Sequence, residues 1–148
     1  MKKLLCLLLV CTVLFTGCSN SYKEGVYEGN AVDTYGGAEN TATAKVIIDS
    51  EGKITAVYLD TTYTHNGVQT TKKTLKEEYG MKEGNSSYGT AEYEWYEQVE
   101  ALEQAVIDNQ GIDFLNLDED GKTDAVSRCT IVIDALYSAL EDALNKAK

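Results

Sequence analysis

The stretch ENTATAKVIIDSEGKITAVYLDTTYT, residues 39–64, decides the fold because apolar and polar side chains alternate along it. From Ala42 to Ile48 every second residue is apolar, which is the two-residue period of a strand with one buried face. Asp49-Ser50-Glu51-Gly52 follows as a turn that sends the chain back into a second strand, with Gly52 able to take a positive φ. The stretch therefore predicts a β-hairpin at the centre of the fold.

The flanking sequence extends this hairpin into an α+β domain. An earlier strand at about residues 25–33, entering through the Gly36-Gly37 turn, completes a three-stranded antiparallel meander. Residues 62–89 are polar and rich in glycine, and we expect a long binding loop with a short helix at 71–79. Apolar residues at helical spacing predict helices at 91–109 and directly after Thr130. The prediction is an antiparallel meander sheet packed against two or three helices.

The N-terminal residues have the pattern of an export signal. Lys2 and Lys3 precede an apolar run of about twelve residues, roughly 18 Å as a helix, which is too short to cross a hydrocarbon core of roughly 30 Å. Thr16-Gly17-Cys18 resembles the lipobox of bacterial lipoproteins, in which the cysteine is acylated. We expect a signal peptide at 1–17, a lipidated tether at 18–24 that begins at Cys18, and one domain at 25–148.

The charge balance restricts the partners. Without Lys2 and Lys3 the chain has 24 acidic against about 11 basic side chains, a net charge of about −13, which argues against nucleic acid as a partner. Lipid at Cys18 would anchor the protein to the membrane. With a single histidine, no paired cysteines and no suitable spacing of histidine and carboxylates, the sequence gives little support for a transition-metal site. Cys129 is then a lone thiol, which we expect to be buried.

The segment DAVSRCT, residues 124–130, permits three hypotheses. Ser127 or Thr130 could be the N-cap of the last helix, a role worth about 1 kcal/mol. Cys129 could be a reactive thiol, since a helix N-terminus and Arg128 would favour its thiolate. Thr130 could bear a phosphate ester, facing the free N–H groups of residues 131–133 in the first helical turn.

The same segment resembles the flavinylation motif of the FMN-binding domain family, commonly Asp-x-x-Ser-Gly-Ala-Thr. That family includes small subunits of sodium-pumping and Rnf-type electron-transport complexes and surface lipoproteins of bacterial extracellular electron transfer. GVYEGNAVDTYGGAENTATAKVIIDSEGKITAVYLD resembles its glycine-marked opening meander. KEEYGMKEG and EWYEQVEALEQAVIDNQG resemble the middle of its lipoprotein branch, so the likeness covers nearly all of the mature chain.

The resemblance implies a cofactor and its binding residues. The last threonine of the motif carries FMN through a phosphoester, transferred from FAD by a magnesium-dependent FMN transferase; here it would be Thr130, with Ser127 and Asp124 at the other two marked positions. Arg128 and Cys129 stand where the motif commonly has Gly and Ala. If the backbone needs a positive φ there, Arg128 would be strained by about 1 kcal/mol or more. The resemblance also implies an aromatic and apolar wall for the flavin ring, formed by Tyr79, Met81 and Trp95; Trp95 could instead be simply the first core residue of its helix.

The implied function is electron transfer by a membrane-anchored extracytoplasmic flavoprotein, rather than an enzyme with catalytic residues and a substrate of its own. A membrane quinol or a dehydrogenase would be the electron donor. Two alternatives remain open: a non-catalytic surface lipoprotein of the same fold without flavin, and a flavin-dependent reductase of a small extracellular acceptor.

Overall fold

A computed structural model of the chain describes residues 22–87 and 89–148. The predicted signal peptide and the predicted lipidation residue Cys18 lie outside the described residues. Tyr22 is already buried in the core, and the Lys23 N–H donates to the Ala147 carbonyl oxygen at 2.8 Å. The packed domain therefore includes Tyr22 and Lys23, ahead of the predicted boundary at Gly25.

The sheet is an antiparallel meander. Strands β1 (Gly25–Asp33), β2 (Asn40–Ile48), β3 (Ile54–His65) and β4 (Val68–Thr71) lie in the order β1-β2-β3-β4. The predicted turn is confirmed: Gly52 has φ 76° and its N–H donates to the Asp49 carbonyl oxygen at 3.0 Å. The predicted short helix is also present, as helix α1 (Lys72–Leu75) followed by a 3-10 turn, Lys76–Tyr79.

The prediction of a loop from residue 62 onward is wrong in its first part. β3 continues to His65, and a tight turn at Asn66 and Gly67, both with positive φ, returns the chain as β4. β4 has no buried residue, so it lacks the apolar alternation that marks a half-buried strand. Its pairing with β3 stabilises it instead.

Both long helices start later than predicted. Helix α2 is Trp95–Asn109 rather than 91–109, because Ala91 is engaged with an extended segment: its N–H donates to the Met81 carbonyl oxygen and its own carbonyl oxygen accepts from Glu83. Helix α3 is Asp134–Lys146, and its N-cap is Ile133. The Ile133 N–H donates to the Gly121 carbonyl oxygen at 2.7 Å, which holds residues before Asp134 outside the helix.

One face of the sheet carries the core. Ala44 lies opposite Leu59 and Val46 opposite Val57, and all four side chains are buried. Helix α2 packs on β3 and helix α3 on β1 and β2, closing this face with a row of buried apolar side chains: Val99, Leu102, Val106, Leu136, Ala139, Leu140 and Ala143. Full burial of a large apolar side chain is worth about 1.5–3 kcal/mol, so this layer is the main stabilising element. The α+β class with one covered sheet face is confirmed.

None of the helices in the described part of the chain is long and apolar enough to span a membrane.

Candidate functional site

A cavity of about 400 Å³ opens where the end of β1, helix α1 and the start of α2 meet the loop before α3. This volume is within the range of small-molecule sites, roughly 300–1,000 Å³. The cavity combines aromatic, apolar and charged side chains: Asp33, Tyr35, Lys72, Tyr79, Met81, Trp95, Lys122, Thr130, Ile131 and Val132. We call it the Thr130 cavity.

The Thr130 hydroxyl is held by Gln98, a buried residue of helix α2. Gln98 Oε1 accepts from the Thr130 N–H at 2.8 Å and from the Thr130 hydroxyl at 3.2 Å. The Gln98 amide cannot be turned round without loss, because its Nε2 donates to the Tyr93 carbonyl oxygen at 3.0 Å. Thr130 itself is exposed. The hydroxyl is therefore fixed in direction, on a residue that is exposed to solvent.

Trp95, Tyr79 and Met81 form the apolar wall of the cavity. The Tyr79 and Trp95 rings meet edge to face, with centroids 6.4 Å apart, and Tyr63 packs behind Tyr79 at 5.1 Å. Burial raises the pKa of Tyr79 to about 12, and the nearby Tyr63 adds to the shift. The Tyr79 phenol is therefore neutral at ordinary pH. Trp95 is 4% exposed and belongs both to the core and to the cavity wall, so the core interpretation and the wall interpretation of this residue are compatible.

The Met81 side of the wall is held by a buried carboxylate. Glu94 is 1% exposed, and its side-chain oxygens accept from the N–H groups of Met81 at 2.9 Å and Lys82 at 3.0 Å. The Asn85 amide donates to the same carboxylate at 2.8 Å. Charge-assisted bonds of this kind stabilise a buried carboxylate and fix the backbone that donates to it. Glu94 thereby ties the segment before α2 to the start of the helix.

The buried positive charge in the cavity wall comes from Lys72, which is 6% exposed. Its Nζ donates to Asp33 Oδ2 at 3.2 Å and lies 5.4 Å from the Trp95 ring centroid and 5.7 Å from that of Tyr79. The other oxygen of Asp33 accepts from the Tyr35 N–H at 2.9 Å. The cavity is thus lined by a buried ion pair beside its aromatic wall.

Helix α1 directs two adjacent lysines to different partners. The Thr71 hydroxyl caps the helix by accepting from the Thr74 N–H at 3.2 Å. Lys73 forms an ion pair with Glu103 of α2, whose carboxylate also accepts from the Leu59 N–H at 2.6 Å. Burial raises the pKa of Glu103, and the hydrogen bond from Lys73 opposes this rise. With Lys73 bound to α2, the neighbouring Lys72 projects to Asp33 and the cavity.

The remaining motif residues lie outside the Thr130 cavity. Asp124, Arg128 and Cys129 border a second, shallow depression of about 370 Å³ that reaches Thr130 from the other side. Ser127 lies with Arg128 along the exposed side of α2. Arg128 has φ 71°, its guanidinium carbon lies 4.3 Å from the Tyr93 ring centroid, and a guanidinium nitrogen lies 4.0 Å from Glu97. Its side chain is therefore directed onto α2 and does not line the cavity.

The N-cap hypothesis for Ser127 and Thr130 is wrong, because α3 begins at Asp134 with Ile133 as N-cap. The expectation that residues 131–133 offer first-turn amides to a phosphate on Thr130 is wrong for the same reason. The Ile133 N–H donates to the Gly121 carbonyl oxygen, whereas the Val132 N–H has no acceptor within residues 22–87 and 89–148. Counter-charge near Thr130 comes from the lysines that line the cavity, Lys72 and Lys122, and not from a helix N-terminus.

The reactive-thiol hypothesis for Cys129 has little support. The side chain is 3% exposed, and burial raises the pKa of the thiol to about 11. The neutral thiol is therefore the dominant form at neutral pH, and Cys129 is the buried small residue that its isolation in the sequence predicts.

The structure brings together Thr130, Trp95, Tyr79 and Met81, four residues that the resemblance places around one ligand. Sequence reasoning missed Lys72, Asp33, Gln98 and Glu94. Asp33 and Lys72 are 39 residues apart, and Gln98 and Thr130 are 32 apart. The sequence offers one weak signal for two of them: Glu94 and Gln98 are polar residues beside the apolar stripe of α2. Polar residues at such positions are more often exposed than buried, so the signal does not identify them as site residues.

Comparisons with known proteins give no match to a protein-family model, a curated protein or a solved structure.

Proposed function

We propose that this chain is a membrane-anchored extracytoplasmic flavoprotein that relays electrons through FMN covalently attached to Thr130. The observation that carries the proposal is that the residues implied by the resemblance lie close together in the structure. Thr130 lies in one cavity with Tyr79, Met81 and Trp95, although it is at least 35 residues away from each of them in sequence. The resemblance to the flavinylation motif depends on residue types alone. If it were a chance resemblance, there would be no reason for Thr130 to lie in the same cavity as the aromatic residues, so their proximity supports the proposal.

The residues present suit a planar, anionic cofactor. Trp95, Tyr79 and Met81 offer apolar surface to a ring system, and Lys72 and Lys122 offer positive charge in a cavity of suitable volume. FMN supplies one- and two-electron chemistry when bound, and the protein contributes attachment, orientation and tuning of the potential. On this proposal the chain has no catalytic residue of its own.

Attachment needs a hydroxyl that a second protein can reach. Thr130 is exposed, and its hydroxyl donates to Gln98, which orients the oxygen. In the transfer from FAD, a bond forms between this oxygen and the phosphorus of the FMN half, the pyrophosphate bond breaks, AMP leaves and the hydroxyl proton is lost. The Thr130 N–H donates to Gln98 independently of the hydroxyl, so loss of the hydroxyl proton does not require this backbone hydrogen bond to break.

Acylation of Cys18 would keep the domain close to the membrane. The packed domain already includes Tyr22, so residues 18–22 span at most about 16 Å. Such a short tether would hold the flavin within reach of a membrane quinol or a dehydrogenase as electron donor.

The test is the intact mass of the protein after co-expression with an FMN transferase that uses FAD and magnesium. We expect an addition of roughly 440 Da, located on the peptide that contains Thr130. Thr130→Val keeps the shape of the side chain without the hydroxyl and should lack the addition, whereas Thr130→Ser keeps the hydroxyl and should retain it. A wild-type protein without added mass, folded by circular dichroism, would contradict the proposal.

One observation favours a second candidate, a surface lipoprotein of the same fold without flavin. Arg128 occupies a left-handed conformation, with φ 71°, where the flavinylation motif commonly has glycine. Its side chain lies on the surface next to Thr130, in the depression that Thr130 also borders, and could obstruct access to the hydroxyl. If wild type stays unmodified and Arg128→Gly gains the added mass, this second candidate is the correct one.

A further inference from the structure

We propose that Lys72 is a positioning and tuning residue that raises the reduction potential of the flavin on Thr130, with Asp33 as the partner that limits the effect. This inference rests on the proposed function. Lys72 belongs to no recognised motif, and it is identified only by its place in the cavity wall.

The first step concerns the hydrogen-bonding capacity of Lys72. An ammonium group has three donors, and within the described residues only one of them has an acceptor, Asp33 Oδ2. The ammonium lies 5.4 Å and 5.7 Å from the centroids of the Trp95 and Tyr79 rings. A buried ammonium with spare donors beside an aromatic wall can donate to a polar edge of a ring bound against that wall.

The second step concerns cost. Taking an ammonium and a carboxylate out of water costs several kcal/mol per ion, and a well-packed apolar pair is often as stable or more so. Asp33 and Lys72 side chains are 9% and 8% exposed, and both line the cavity. Lys73, the adjacent lysine, does not line the cavity and is bound to Glu103. A buried pair that opens onto a ligand cavity is therefore better explained by an effect on the ligand than by stability.

The third step concerns charge. Two-electron reduction of a flavin with uptake of one proton adds one negative charge, which is carried by the pyrimidine part of the ring. A cation near that part favours the reduced form, and the effect is larger in a site that excludes water. Asp33 opposes the effect because its carboxylate repels the same added charge. The signs of the two contributions are opposite, and this permits a test that a purely structural role would fail.

The experiment compares flavin-loaded wild type with Lys72→Met and Asp33→Asn, after intact mass has shown equal loading. Each protein is reduced with dithionite in the presence of a reference dye, and absorbance gives the ratio of reduced to oxidised flavin at fixed potential. We expect this ratio to fall at least about tenfold in Lys72→Met, equivalent to about 30 mV for a two-electron couple, and to rise in Asp33→Asn. Lys45→Met is the control: Lys45 of β2 is about half exposed and does not line the Thr130 cavity, so this substitution should leave the ratio unchanged.

The outcomes separate this inference from the proposed function. If wild type carries no flavin, both fail. If wild type is loaded and Lys72→Met has the wild-type ratio, or if both substitutions shift the ratio in the same direction, the tuning role of Lys72 is refuted while flavin attachment stands. If Lys72→Met does not fold, Asp33→Asn decides alone, and an unchanged or lowered ratio overturns the inference.

Discussion

Arg128 occupies a backbone conformation that suits glycine. Its φ of 71° is in the left-handed region, which costs a residue with a Cβ about 1 kcal/mol. The side chain recovers part of this cost, because the guanidinium stacks on Tyr93 and lies 4.0 Å from Glu97. The sequence suggested strain at this position only through the motif, and the backbone geometry now supplies the reason.

The strain predicts an unusual order of stabilities. Arg128→Ala removes the stacking and keeps the left-handed Cβ, whereas Arg128→Gly removes both. We expect Arg128→Gly to be more stable than Arg128→Ala by about 1 kcal/mol, the reverse of the order at an ordinary exposed site. Urea unfolding followed by circular dichroism measures the difference. Equal stabilities, or a more stable Arg128→Ala, would show that the backbone at residue 128 is not strained.

Cys129 gives a second prediction at the residue scale. Burial raises the pKa of its thiol from 9.0 to about 11, so at pH 8 the thiolate fraction is lower by about 100-fold than in the unfolded chain. We expect iodoacetamide to label Cys129 at least about 100-fold more slowly in the native protein than in urea. Mass analysis of the peptide containing Cys129 measures both rates. Similar rates would mean that the thiol is exposed in the native protein and able to react.

The same shift has a consequence for stability. The folded chain retains the Cys129 proton to a higher pH than the unfolded chain does, so the contribution of this thiol is complete below about pH 9 and is lost as the pH rises towards 11. The free energy of unfolding of wild type should therefore fall more steeply over this range than that of Cys129→Ala, which has no thiol to titrate.

At the scale of elements, the contact between β1 and α3 depends on Gly29. A Cβ at this position would lie 2.0 Å from the Ala139 carbonyl oxygen and 2.5 Å from the Ala143 nitrogen, both backbone atoms of α3. The strand and the helix can approach this closely only without a side chain between them.

We therefore expect Gly29→Ala to destabilise the domain by about 2–3 kcal/mol, since the helix would have to move away from the sheet. Thermal unfolding measures the loss. The neighbouring Asn30 has an exposed side chain on the opposite face of the sheet, so Asn30→Ala should stay within about 0.5 kcal/mol of wild type. A Gly29→Ala protein as stable as Asn30→Ala would contradict the close packing of α3 on β1.

The elements that can be predicted from the sequence are those in which buried apolar residues recur at a regular spacing. β2 buries every second residue from Ala42 to Ile48, and α3 buries Leu136, Ala139, Leu140 and Ala143, so both patterns are visible in the chain. β4 buries no residue and α1 buries only Lys72, so their formation depends on partners elsewhere. The start of α3 has no local signal in the sequence, because it depends on a hydrogen bond from the Ile133 N–H to the Gly121 carbonyl oxygen and not on a side-chain cap.

At the scale of the whole molecule, the cavity is built from long-range pairs that no local pattern records. Lys72 reaches Asp33, Thr130 reaches Gln98, and Met81 is held by Glu94. The resemblance selected the aromatic wall and the threonine. The charged and amide groups around them could be identified only from the structure, because the sequence does not distinguish a buried lysine or glutamine from an exposed one.

The excess of acidic side chains, 24 against 13 basic ones in the full sequence for a net charge of −11, makes a prediction for the flavin-loaded protein. An acidic protein attracts cationic acceptors, and added salt screens this attraction over a Debye length of about 10 Å at 0.1 M. For reduced, flavin-loaded protein we expect the rate of oxidation by hexaammineruthenium(III) to fall several-fold between about 0.02 M and 0.3 M salt, and the rate with anionic ferricyanide to rise. Stopped-flow absorbance of the flavin measures both rates under the same conditions. The two acceptors carry charges of opposite sign, so the direction of the salt effect, and not the absolute rate, is what is compared. Rates that are independent of salt for both acceptors would mean that the acidic surface lies away from the path of electron transfer.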